Sequence, residues 1–277
     1  MNKPRAAGAF TLVELLLATA ILSVLIVLLI QMLNHTSGAW IVGQAQTERR
    51  QSVRVLADAI AQELQSALLP LDPSDVTNLQ FTLNPNSVPA EYRNPDALFW
   101  QAPVATDRRW GDVAEVGYFL KWNESDLSNP RPLFCRFFVN PTDSDNYLIY
   151  RQPAQWLSGS ILETVAPANK ENGNAYRGLF AENIIGFWVR CYDGNREIIS
   201  PKEEYDSRTT RTLPRSVKIS LVLIDSASLS RLHQKPDYAT AGDSDEPDLE
   251  QFLAALPDGV RQTARSYTVE VRLQNSL

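Results

Sequence analysis

From Leu15 to Leu33 the chain reads LLLATAILSVLIVLLIQML, 19 residues without a charge. As a helix this run is roughly 28 Å long at 1.5 Å per residue, close to the hydrocarbon thickness of a bilayer. It is too long and too uniformly apolar for one face of a small soluble helix, so it predicts a single membrane-spanning helix. Lys3 and Arg5 lie ahead of it, which predicts a cytoplasmic N-terminus with the remainder of the chain across the membrane. A cleaved secretory signal has a shorter apolar region followed by small residues. Here the small residues, Ala6-Ala7-Gly8-Ala9, come first.

Glu14 stands at the edge of the run, between Phe10-Thr11-Leu12-Val13 and Leu15-Leu16-Leu17. A carboxylate at the centre of a span costs on the order of 2.5–3.5 kcal/mol, so Glu14 needs either a partner or an interfacial position from which to snorkel.

Basic residues, Gly8-Ala9, Phe10-Thr11-Leu12-Val13-Glu14 and an apolar helix together resemble the class III signal of type IV prepilins and type II secretion pseudopilins. The resemblance implies a leader, residues 1–9, removed by a prepilin peptidase, with Phe10 the N-methylated first residue of the product. It also implies that Glu14 pairs with a neighbouring subunit's terminal amine during assembly. Ala9 departs from the usual pattern. Cleavage after Gly8 would make Glu14 the sixth residue, whereas cleavage after Ala9 keeps it fifth, and the second is expected because a one-residue shift alters the charge pairing. Long helix first, sheet second and Leu213-Pro214-Arg215-Ser216-Val217 leading a late strand is similar to the J type of minor pseudopilin. Size and the Phe-Thr-Leu-Val-Glu string resemble the pilin-like Verru_Chthon cassette protein C family.

Beyond the span, Pro is absent between Pro4 and Pro70. The expected α+β, pilin-like fold is therefore one long N-terminal helix packed on an antiparallel β-sheet domain with long loops. It comprises a membrane or filament-core helix over 10–34, an amphipathic half over 35–69 and a β-rich domain over 70–277. Val53, Leu56, Ile60, Leu64 and Leu68 recur at spacings of three and four, a stripe expected to cover the sheet. Asn34 to Gly43 is the weakest helical stretch and the expected hinge. Strands are predicted near Val113–Trp122, Leu133–Val139, Tyr147–Arg151, Asn183–Tyr192, Ser216–Ile224 and Tyr267–Leu273. In the last two, alternation predicts one buried face each. A short helix is predicted from Asp248 to Leu256, between Pro247 and Pro257.

A net charge of −6 argues against a nucleic-acid footprint, and Arg108-Arg109 and Arg208-Thr209-Thr210-Arg211 are short basic spots without interleaved aromatics. Nucleotide-binding Gly-Lys loops, His-Glu-x-x-His helices and Gly-x-Ser-x-Gly turns are absent, and Glu203-Glu204 reads as a solvated pair, so no catalytic residue, cofactor or metal is expected. Asp143-Ser144-Asp145-Asn146 and Asp243-Ser244-Asp245-Glu246-Pro247-Asp248 carry oxygen ligands but lack calcium-loop spacing. Trp100, Trp110, Trp122, Trp156 and Trp188 offer either a binding face or core. Cys135 and Cys191 leave a disulfide and two buried thiols equally open.

The expected function is that of a minor pilin or pseudopilin subunit. Prepilin peptidase, other pilin-like chains and the lipid bilayer are its expected partners, and nucleic acid is not. Its expected place is the inner membrane, as a single-pass protein whose C-terminal domain is periplasmic or extracellular, within a pilus or secretion pseudopilus after assembly. The alternative is an unprocessed, membrane-anchored ligand-binding or sensor module.

Overall fold

A computed structural model describes residues 12–68, 81–123, 130–142, 178–199, 205–242 and 245–276. The first element is helix α1, Leu12–Gln65, unbroken through the predicted hinge at 34–43. The chain divides into two compact units, Met1–Arg54 and Val55–Leu277. The described part of the first unit is helical throughout. The second unit contains the last turns of α1, two antiparallel sheets and several short helices, so its class is α+β.

The larger sheet has six strands: β1 (Phe81–Leu83), β2 (Ala97–Ala102), β3 (Ala114–Asn123), β4 (Arg131–Val139), β5 (Gly178–Ala181) and β7 (Tyr205–Asp206). Their spatial order is β5-β4-β3-β2-β1-β7. The smaller sheet has order β6-β8-β9, formed by Ile184–Tyr192, Ser216–Leu223 and Arg265–Arg272. The switch between sheets takes only Glu182 and Asn183, the latter in the left-handed region at φ 65°. Such a conformation is one that Asn tolerates better than most residues. The strand predicted at 147–151 lies outside the described residues.

The central core joins both sheets to the end of α1. Leu56, Ile60, Leu64 and Ala67 pack with Leu98, Trp100 and Phe134 of the larger sheet and with Phe187, Val217 and Ile219 of the smaller. In this unit the predicted stripe is therefore buried at Leu56, Ile60 and Leu64. It ends at half-buried Leu68, whose N–H donates to the Gln101 carbonyl at 3.0 Å.

Alternation sends Ala97, Phe99, Phe119, Cys135 and Phe137 to the opposite face of the larger sheet, where Val88 and Tyr92 help close a second cluster. The outer face of the smaller sheet is covered by α3 (Ser226–Leu229), α4 (Leu249–Ala255) and α5 (Asp258–Arg261), which follow the short α2 (Ser207–Thr210). They bury Trp188, Val222, Ile224 and Phe252. Strand β8 is consequently covered on both faces toward its C-terminal end, which corrects the single buried face predicted for it. In β9, Val271 is buried and Val269 half-buried while Glu270 and Arg272 are exposed, which follows the predicted alternation.

Two ion pairs hold the layers in register. Arg136 on β4 donates to both carboxylate oxygens of Glu63, through Nε at 3.1 Å and through Nη2, and the Tyr118 hydroxyl donates to Glu63 at 2.7 Å. Burial and the neighbouring Glu63 charge push the Tyr118 hydroxyl well above its ordinary range. Between the sheets, Asp96 accepts from Arg190 Nη1 at 2.9 Å, the Val189 N–H at 2.8 Å and Asn84 Nδ2 at 2.7 Å. Burial raises the Asp96 carboxyl, while the Arg190 guanidinium and the amide donors pull against it.

Candidate functional site: the apolar helix of the first unit

Within α1, Leu15–Met32 is long and apolar enough to cross a membrane, and none of it is buried inside the protein. The large apolar side chains described from Leu12 to Met32 are 47–75% exposed. They occur on every side of the helix, because Leu15, Leu16, Leu17, Ile21, Leu22, Leu25 and Ile26 together sample a full turn. At about 1.5–3 kcal/mol for each large side chain left in water, full hydration of this surface would exceed the stability of a typical domain. Lipid or other apolar helices are surroundings that would remove this cost.

The hydroxyls within the run fit that environment. Thr19 Oγ1 donates to the Leu16 carbonyl at 3.0 Å and Ser23 Oγ to the Thr19 carbonyl at 2.8 Å. Both hydroxyls are thus satisfied on their own helix and need no water, which is the condition hydrocarbon imposes. Glu14 lies in α1, bracketed by the exposed Leu12, Val13, Leu15, Leu16 and Leu17. Gly8, Ala9 and Phe10 lie outside the described residues, as do the acidic loop at 143–146, Trp156 and Glu203-Glu204.

Elsewhere the candidates sort mainly by burial. Trp100, Trp122 and Trp188 are 0–6% exposed and belong to the core, so these three form no binding face. Trp110 is 67% exposed, at the tip of the β2–β3 connection. Of the second acidic loop, Glu246 pairs with Lys218 at 2.8 Å and accepts from the Tyr192 hydroxyl at 2.6 Å, and the Lys218 contact leads in lowering its carboxyl. Asp248 caps α4 by accepting from the Gln251 N–H. Among the described residues no three His, Cys, Asp or Glu side chains converge on a candidate metal position.

Cys135 and Cys191 are not bridged. Cys135 faces the outer cluster of the larger sheet and Cys191 the central core, so the sheet itself separates them. Burial pushes the Cys135 thiol far above its ordinary range, away from the reactive thiolate. The native chain should accordingly leave both cysteines unmodified by Ellman's reagent over minutes, and denaturant should release two equivalents. Rapid modification of either in the native protein would contradict the burial.

The ion pairs of Glu63 and Asp96 were not marked by any sequence motif, since their partners lie 73 and 94 residues away. The exposed Trp110 had one local signal, its place in Asp107-Arg108-Arg109-Trp110-Gly111-Asp112, where polar residues and glycine surround an aromatic. In comparisons with known proteins, no family model, no curated protein and no solved structure matches this chain.

Proposed function

We propose that this chain is a minor pilin-like or pseudopilin-like structural subunit, held in the inner membrane by α1 and transferred into a filament through the same helix. A prepilin peptidase cuts ahead of Phe10, the new amine is methylated, and Glu14 pairs with the terminal amine of a neighbouring chain. The observation that carries this reading is an apolar helix exposed on every side, with one carboxylate at its beginning and Gly8-Ala9-Phe10 just ahead. Burial of the far end of α1 among two sheets supports a pilin-like arrangement in which one helix serves both membrane and domain.

The mechanism is one of exchange. Leaving lipid is unfavourable unless neighbouring helices bury the same apolar surface, so a growing bundle replaces the bilayer as solvent. Glu14 and an amine neutralise each other in that low-dielectric bundle, and because each is costly alone, the pair selects one axial register. Glu14→Gln keeps the shape and removes the charge. Insertion and leader cleavage should persist, while crosslinks to partner pilin-like chains in membranes should fall at least about tenfold, a floor well under the hundredfold or more that about 3–5 kcal/mol for a broken buried ion pair allows. Equal crosslinking yields at matched expression would contradict assembly through Glu14 and favour an unprocessed anchor.

A further inference from the structure

A sheet edge leaves a row of N–H and C=O groups unpaired, and proteins shorten, kink or cover such edges against stray pairing. The edges of the larger sheet are β5 and β7, of four and two residues. In the smaller sheet, β6 is covered by its own chain. The Phe187 N–H donates to the Asn94 carbonyl at 3.3 Å, and the Asp96 N–H to the Phe187 carbonyl at 3.1 Å. β9, at the other edge, has none of these protections. It is eight residues long, contains no proline, and pairs with β8 in one register from Arg265 to Arg272 without a bulge.

Strand alternation decides which groups of β9 face outward. The Leu273 N–H points back to the Arg215 carbonyl at 3.2 Å, and the Ile224 N–H donates to the Asn183 carbonyl at 3.0 Å, so even-numbered positions of β8 face β6. By the register, odd-numbered residues of β9 then bond β8. Ser266, Thr268, Glu270 and Arg272 aim their N–H and C=O groups out of the free edge, and among the described residues no backbone group meets them. All four residues are exposed.

Such a row is satisfied by an extended backbone with the same alternation, and β9 of a second copy supplies one of equal length. We infer that two copies pair β9 with β9, antiparallel about a two-fold axis beside Val269, and so join their smaller sheets. In this register Ser266 faces Arg272 of the second copy and Thr268 faces Glu270. Every outward residue then finds an outward partner, for about eight backbone hydrogen bonds, and no like charges stand directly opposite. An axis beside Glu270 would oppose two carboxylates. One beside Thr268 or Val271 leaves an outward residue past the end of the facing strand. Glu270 itself leans toward β8, accepting from Ser216 Oγ at 2.7 Å, which draws the carboxylates of the two copies apart. On the core-side face Val269 meets Val269 and half-buried Tyr267 meets Val271, pairings that favour adjacent strands. The contact is isologous and closes at two copies, so it stands apart from the filament reading.

The test uses full-length chains in detergent, with Thr268→Cys in one population and Glu270→Cys in the other; the native Cys135 and Cys191 are buried. Under mild oxidation the mixed disulfide should form at an initial rate at least about tenfold above that of Thr268→Cys with Gln262→Cys, an exposed site before the strand. Charge at position 266 then reads the register. Ser266→Arg in both populations sets Arg against Arg272 of the other copy and should slow the reaction at least about threefold, whereas Ser266→Glu should speed it by a similar factor. Opposite responses to opposite charges do not arise from a folding defect. A rate equal to the Gln262→Cys control, or a response of the same sign to both charges, overturns the pairing. Hydrogen exchange gives a second reading, because in chains that sediment as monomers the outward amides of residues 264–273 should exchange freely. Protection of those amides in the monomer would show that the chain covers its own edge, and would overturn the inference as well.

Discussion

Asp96→Ala should destabilise the globular unit by about 3–5 kcal/mol, lowering its thermal midpoint by about 6–20 °C. The cost comes from what remains. Arg190, with 8% of its side chain exposed, would keep its charge in a low-dielectric gap without the carboxylate it hydrogen-bonds, Glu246 reaching it only through space. The Val189 N–H and Asn84 Nδ2 would lose their shared acceptor as well. Asp96→Asn, which keeps the shape but not the charge, should recover only part of the loss. Replacing both partners together by apolar residues of similar volume should cost less than Asp96→Ala, because no buried charge is then stranded. Urea melts of the four proteins decide it, and a loss under about 1 kcal/mol for Asp96→Ala would remove the pair as the clamp between the sheets.

A fragment beginning at Asp72 should not fold, whereas one beginning near Asn34 should give a cooperative melt. The shorter fragment lacks Leu56, Ile60 and Leu64, all in the central core, at about 1.5–3 kcal/mol each. It also strands Arg136, whose side chain is 7% exposed, without Glu63, for about 3–5 kcal/mol more. Together these rival the whole stability of a typical domain, about 5–15 kcal/mol. Circular dichroism and melting of the two fragments check this, and equal midpoints would show that the end of α1 is dispensable to the sheets.

The elements legible in the sequence were those with a periodic signal. Val269 and Val271 alternate with Thr268, Glu270 and Arg272 because β9 has one wet face, and the Asp248 cap and Pro257 bracket α4. β2 was missed for the opposite reason. Ala97 to Ala102 is buried on both faces, so Ala-Leu-Phe-Trp-Gln-Ala shows no alternation to read. β1, β5 and β7 have two to four residues, too few for any period. Glu63 reads locally as part of the polar side of an amphipathic helix, because the Arg136 that draws it inward comes 73 residues later. The tryptophans show the same limit, since neighbours far along the chain decide that Trp188 is core and Trp110 is not. The apolar helix was legible because hydrophobicity over 19 residues needs no partner to be recognised.

The central claim is that Gly8-Ala9-Phe10 is a processing site ahead of an assembly helix, and the mass of the mature chain tests it most directly. The full-length gene should be expressed in cells that hold a prepilin peptidase, and the membrane-extracted product measured intact and sequenced from its N-terminus. The account predicts loss of residues 1–9 with methylated Phe10 first. A product that keeps Met1 or Asn2 and the whole leader in those cells would contradict it.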